Sequence, residues 1–168
     1  MAGSKLARTF SHLGSDARSV RRAFDDTLLT RIEEAIARSE RGHAAEVRIA
    51  IEASLPLRDV LGGRTPRERA LEVFGALGVW DTAANNGVLL YVLWADRAVE
   101  IVADRAAAAA IPEPRWREVC DALVAAYRSG DFERGTLAAI ERIGELLIDA
   151  FPAAGGDANE LPDRPAIL

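Results

Sequence analysis

The residues best suited to chemistry lie between positions 81 and 105. Asp81, Asn85 and Asn86 precede the apolar run Val88-Leu-Leu-Tyr-Val-Leu-Trp94, and Asp104 and Arg105 follow the alternating segment Val99–Ala103. Asp and Asn oxygens are hard ligands that suit calcium or magnesium. An arginine beside them can hold a phosphate oxygen through charge-assisted hydrogen bonds. Asp81, Asn85, Asn86 and Asp104 are therefore the candidate metal ligands, and Asp81, Asp104 and Arg105 the candidate catalytic groups. The same residue types also serve ordinary local structure, since Asp and Asn favour turns and caps and Asn86-Gly87 is a common turn dipeptide. The motifs GxGxxG, Walker A, GxSxG and HExxH are absent, and no cofactor-binding residue is identified. His12, His43 and Cys120 are too few and too scattered for a tetrahedral zinc site. His43 with Glu46 makes at most a two-ligand fragment and reads more simply as a solvated residue at a helix–strand junction. Cys120 falls on an apolar helical stripe and reads as a buried structural thiol.

The elements that must position these residues follow from hydrophobic spacing. Val20, Phe24, Leu28, Ile32 and Ile36 recur at helical steps from Ser19 until Gly42. Val47, Ile49 and Ile51 alternate with Glu46, Arg48 and Glu52, the pattern of a half-buried strand. Pro56–Arg64 reads as a loop. Thr65-Pro-Arg-Glu68 is a capping box with proline at the first helical position. Val88–Trp94 is apolar on both faces and predicts a central strand covered by helices. Val99, Ile101 and Ala103 predict a third strand, and stripes around Trp116–Tyr127 and Phe132–Phe151 predict two final helices, with Asp131 as a cap.

Strand, helix, strand makes a right-handed parallel crossover, and the second and third strands make an antiparallel hairpin. The fold class is therefore α/β, a small mixed sheet between helical layers. Parity groups Val88, Leu90, Val92 and Trp94 with Val99, Ile101 and Ala103 on one face. A turn centred between Asp96 and Arg97 then sets Leu89 across from Asp104 and Val88 across from Arg105. That register gathers Asp81, Asn85, Asn86, Asp104 and Arg105 at one end of the hairpin. Glu100, on the opposite face, is expected at the sheet edge or paired with a basic group, because an unpaired buried carboxylate is costly.

The length of 168 residues predicts one domain over 19–151, with a flexible arm over 1–18 and an extended tail over 152–168. Leu161-Pro-Asp-Arg-Pro-Ala-Ile-Leu168 ends in three apolar residues, and its prolines limit the entropy lost on docking, so it is expected to pack on its own domain or on a neighbouring copy. A net charge of -5 argues against nucleic-acid binding through bulk charge. A single cysteine excludes an intramolecular disulfide. The longest apolar run is well short of the roughly 20 residues that span a bilayer. The first residues lack the apolar stretch of a signal peptide, so a cytoplasmic location is expected.

Between about residues 27 and 151 the chain resembles the TPM-domain family, whose members include thylakoid-lumen, photosystem II repair and acetylcholine-receptor accessory proteins. The resemblance rests on Glu46-Val-Arg-Ile-Ala-Ile, on Arg69-Ala-Leu-Glu-Val-Phe74, and above all on Asn86-Gly-Val-Leu-Leu-Tyr-Val-Leu-Trp-Ala-Asp-Arg97. Val99-Glu-Ile-Val102 and Arg128-Ser-Gly-Asp-Phe132 complete it, and the tail Asn159–Pro165 is similar to that of a soluble bacterial branch. The resemblance implies a helix-flanked mixed sheet, divalent-cation binding, phosphatase activity, or a part in assembling membrane complexes. The glycine-rich stretch that follows the third strand in many members is Ala103–Ala110 here, and alanine does not supply positive-φ conformations cheaply. The reading favoured is a binding or accessory module for an unidentified, membrane-associated protein partner, holding Ca2+ or Mg2+. The alternatives are a metal-assisted phosphomonoesterase and a structural homo-oligomer.

Overall fold

The computed structural model describes residues 2–15, 17–153 and 159–168, and the side chains within them except those of 2–6, 13 and 17. The elements in chain order are α1 (Ala2–Gly14), α2 (Ala17–Ala23), α3 (Asp26–Glu40), β1 (Val47–Glu52), α4 (Leu57–Leu61), α5 (Pro66–Ala76), β2 (Val88–Leu93), β3 (Ala98–Ala103), α6 (Arg105–Ala110), α7 (Glu113–Arg128), α8 (Phe132–Ala150) and β4 (Ala166–Ile167).

The strands lie in the order β3-β2-β1-β4. β1 runs parallel to β2 from Val47↔Val88 to Glu52↔Leu93, and β3 is antiparallel to β2. The predicted crossover and hairpin are both present, and β2 is the central strand. Ile49, Ile51, Val88, Leu90, Val92 and Ile101 face a core shared with Val20, Ile32, Ile36, Leu123, Ile140 and Ile143 from α2, α3, α7 and α8, and with Phe24 between α2 and α3. Ala50, Leu89, Tyr91, Leu93 and Val102 face a second core with Ala70 and Val73 of α5 and with Leu161. The sheet is thus sandwiched between helical layers. Thr65 closes the capping box with Glu68 as its spacing predicts.

The hairpin register differs from the expected one by two residues. Val88 pairs with Ala103 and Leu93 with Ala98, so the turn is Trp94–Arg97, closed by Arg97 N–H to the Trp94 carbonyl at 3.1 Å with Arg97 at φ 49°. A two-residue slip conserves which side chains share a face, so alternation alone does not distinguish the two registers. Asp104 consequently stands beside Gly87, not Leu89, with its N–H on the Gly87 carbonyl at 2.8 Å.

β1 is buried on both faces, not half-buried. Glu52 is covered by Arg69 of α5, and the Arg48 guanidinium is spent on the carbonyls of Pro162 and Arg164. α1 occupies the stretch before Ser19 where no element is predicted, the single helix predicted from Ser19 is divided into α2 and α3, and α4 lies inside the predicted loop 56–64. Asp25 ends the first long helical pattern by capping α3, its carboxylate accepting from the Leu28 N–H at 2.8 Å. Glu100 lies on the edge strand β3, 3.7 Å from the Arg67 guanidinium, so it is both at an edge and paired.

The described part of the tail, residues 159–168, packs on its own domain; residues 154–158 lie outside the described residues. β4 extends the sheet beyond β1 in parallel, and the Leu161 N–H donates to Glu46 Oε2 at 3.0 Å. This docking gathers carboxylates. Burial, helped by Glu46 and Asp163 nearby, pushes the Glu40 carboxyl up to about 8 against the Val47 N–H that favours its ionised form. Burial also raises Glu46. An unfolded glutamate releases its proton near 4.5, so folding takes up a proton between about 4.5 and 8, and stability falls as pH rises through that window. Glu40→Gln, which retains an acceptor for the Val47 N–H, is expected to flatten this slope. Urea denaturation at about pH 5 and about pH 8 should show the variant gaining on the natural chain at the higher pH.

Candidate functional site

The loop between α5 and β2 is built around a tight backbone contact. Gly78 turns the chain at φ 68°, and the Val79 carbonyl then lies against Gly87, where a Cβ would stand 2.0 Å from the Val79 oxygen. The Asn85 N–H donates to the Thr82 carbonyl at 3.1 Å, and Asn85 takes φ 53°, a conformation that asparagine tolerates. The Asn86 N–H donates to Thr82 Oγ1 at 3.2 Å. These contacts drive the Asn86 side chain inward, where it is 1% exposed and donates from Nδ2 to the Ala44 carbonyl at 2.6 Å.

β3 delivers the other half. Asp104 caps α6, its Oδ1 accepting from the Arg105 N–H at 2.7 Å, and it too is buried. The Ala106 N–H donates to the Asn85 carbonyl at 2.9 Å, and the Arg105 guanidinium donates to Asn85 Oδ1. Asn85, Asn86, Asp104 and Arg105 therefore meet at one end of the hairpin. Asp81 is exposed, and among the described residues no hydrogen bond or ion pair joins its carboxylate to the others. No cluster of three His, Cys, Asp or Glu side chains suited to a metal occurs among the described residues.

Two oxygens distinguish this end of the sheet. Asn86 Oδ1 and Asp104 Oδ2 are both buried and accept no hydrogen bond. A buried acceptor without a donor costs about 1–3 kcal/mol, more when charged. The other unpartnered buried side-chain atoms among the described residues, Arg115 Nε and Trp116 Nε1, are donors on α7. A carboxylate and an amide oxygen are hard ligands, and water completes the shell of a magnesium or calcium ion held by few protein groups. The site residues thus fit such a cation in kind.

The two histidines and the cysteine are committed elsewhere. His43 is buried, not solvated: Nδ1–H donates to the Ala45 carbonyl at 2.9 Å, leaving Nε2 to accept from Ser39 Oγ at 3.0 Å. Burial lowers its pKa, so the ring stays neutral. The Leu55 N–H donates to His12 Nδ1 at 2.9 Å, and Nε2 faces Asp96 at 3.0 Å. Neither histidine has a nitrogen free for a metal. Burial, with Glu100 adding, pushes the Cys120 thiol up to about 12, which removes it as a nucleophile near neutral pH.

The TPM domain matches residues 21–146 of this chain. The chain belongs to the TPM-domain family. All five candidate residues fall inside the matched TPM domain, whereas α1 and β4 fall outside it. Among curated proteins no match is found. The chain is similar in structure to the BA42 protein from the psychrophilic bacterium Bizionia argentinensis, solved by NMR. The TM-score is 0.75 at 26% identity, over 84% of this chain and 93% of that one. Among the described residues no helix of this TPM-domain protein is long and apolar enough to cross a membrane.

The sequence reading missed the partners that bury Asn86, namely Thr82 and the Ala44 carbonyl. It also missed Glu160, whose carboxylate accepts from the Ala83 N–H at 3.0 Å and clamps the tail onto the loop. Glu160 lies 77 residues from Ala83 in a segment without periodicity, so nothing local pointed to it.

Proposed function

We propose that this TPM domain is a binding module that takes up a hard divalent cation, calcium or magnesium, between Asn86 and Asp104 and serves as an accessory to a membrane-associated partner. The observation that supports the cation is the pair of buried, unpartnered oxygens, Asn86 Oδ1 and Asp104 Oδ2, at one end of the β2–β3 hairpin. Asp104 supplies charge and Asn86 supplies a rigidly held amide oxygen. The absent glycine-rich loop favours binding over turnover. α6 is a regular helix there, and its alanines leave no flexible backbone to wrap a substrate.

Titration with CaCl2 and MgCl2 tests this. Amide shifts of Asn86, Gly87, Asp104 and Arg105 should move together, and the melting temperature should rise. At a metal concentration of about ten times Kd the gain is about 1.4 kcal/mol. Asp104→Asn retains the helix cap and should weaken binding by at least about ten-fold. Unmoved amides at millimolar metal would remove the cation. Arg105, exposed beside Asp104, supports a second reading, metal-assisted phosphomonoester hydrolysis with Arg105 as the phosphate clamp. Metal-dependent hydrolysis of p-nitrophenyl phosphate, lost in Arg105→Ala, would favour it.

A further inference from the structure

Five of the eight large apolar side chains exposed among the described residues gather at one end of the sheet, where β1 and β2 finish. They are Phe10 on α1, Leu57 and Leu61 on α4, and Ile167 and Leu168 at β4. Hydrogen bonds bind these segments together. The Leu55 N–H donates to His12 Nδ1 at 2.9 Å, Arg8 Nη2 to the Arg64 carbonyl at 2.7 Å, and the Ala53 N–H to the Leu168 carbonyl at 3.5 Å.

α1 sits on the body the reverse way from an ordinary amphipathic helix. Its polar residues Arg8, Ser11 and His12 face the protein, on Asp96 and the Ala95 carbonyl, and Phe10 is left 70% exposed.

The same end is basic. Arg58 lies between Leu57 and Leu61 with its side chain 86% exposed. Arg97 is in the β2–β3 turn, and Arg22 and Arg128 flank Trp94. All four are exposed. Of the acids nearby, Asp59 is shared by Arg64 and the exposed Arg58, Asp96 is held by Arg8, Asp25 caps α3 and Glu133 pairs with Arg31. An apolar patch ringed by arginines, on a chain of net charge -5, matches a surface that is apolar beneath and anionic above.

We propose that this end of the molecule docks on an anionic lipid bilayer, with Phe10, Leu57 and Leu61 entering the headgroup layer and the arginines on lipid phosphates. Phe10, Ile167 and Leu168 lie outside the matched TPM domain, whereas Leu57, Leu61 and the four arginines lie inside it. The cation site is at the opposite end of the sheet, and the proposal does not rest on it.

Flotation of the full chain, in EDTA, with vesicles of equal phosphatidylglycerol and phosphatidylcholine tests the proposal against phosphatidylcholine alone. The chain should float with the anionic vesicles, about ten-fold less with the neutral ones, and be released by high salt. Phe10→Glu with Leu61→Glu, and separately Arg58→Glu with Arg128→Glu, should each cut binding about ten-fold, with melting temperatures checking that both variants fold. Absence of flotation with anionic vesicles overturns the proposal, as does binding that survives both double variants. A dimer that Phe10→Glu with Leu61→Glu dissociates, in a chain that ignores vesicles, would assign the patch to a second copy and overturn it too.

Discussion

Gly87→Ala should destabilise the domain by about 3 kcal/mol or more, a loss reserved for a few mechanisms such as backbone overlap. The new Cβ would stand 2.0 Å from the Val79 oxygen and 3.1 Å from its carbonyl carbon. Neither side of this contact can retreat. Val79 is fully buried, and its N–H is on the Phe74 carbonyl at 3.1 Å. Gly87 is held from the other side by the Asp104 N–H at 2.8 Å. Any shift must therefore pull the loop carrying Asp81, Asn85 and Asn86 off the hairpin, and the proposed cation binding should be lost with stability. Gly75→Ala is the control: its Cβ meets nothing within 4 Å inside α5, so helix propensity predicts a gain of roughly 0.5–1 kcal/mol. Chemical denaturation of both variants decides the matter, and equal effects would refute the contact.

The second large effect is expected at the far end of the sheet. Glu52 is buried, and its carboxylate accepts two hydrogen bonds from Arg69, at 2.9 and 3.0 Å, and one from the Tyr91 hydroxyl at 2.6 Å. Burial and the Glu52 carboxylate hold the Tyr91 phenol far above its usual range, so it remains a donor at any ordinary pH. Arg69→Met leaves a buried charge with one donor and should cost about 3–5 kcal/mol. Tyr91→Phe removes one hydrogen bond to a charged group and should cost about 1.5–3 kcal/mol. Adding Glu52→Gln to Arg69→Met should recover about 1 kcal/mol or more, because the stranded charge is gone. Strict additivity of the two changes would argue against the buried pair.

The apolar elements were the legible ones. β2 and β3 announce themselves because each face of the strand is apolar or strictly alternating, and Thr65 and Glu68 mark the start of α5 by chemistry that acts within one turn. α1 was illegible for the opposite reason. It is anchored through Arg8, Ser11 and His12, and among its described side chains those that face Asp96 and Leu55 are polar, which leaves no apolar period to detect. β1 was misjudged because the covers of Arg48 and Glu52 come from residues 162–164 and from Arg69. In the candidate site, Asn85, Asn86, Asp104 and Arg105 were placed at one end because parity survives a two-residue slip. That Asn86 is buried depends on Thr82 and Ala44, which no pattern in the sequence connects to it.

β4 has a consequence in time as well as in space. About 114 residues separate Glu52 from Ala166, so the strand that covers β1 is made long after β1 itself. At about 5–20 residues per second, the outer edge of β1 waits some 6 to 23 seconds during synthesis with its N–H and C=O groups unpaired. An open, apolar strand edge invites pairing with another nascent chain. The carbonyls of Pro162 and Arg164 that later occupy Arg48 arrive in the same interval. Until then Arg48 lacks these two acceptors, and a charged side chain on an open strand disfavours pairing with an identical chain.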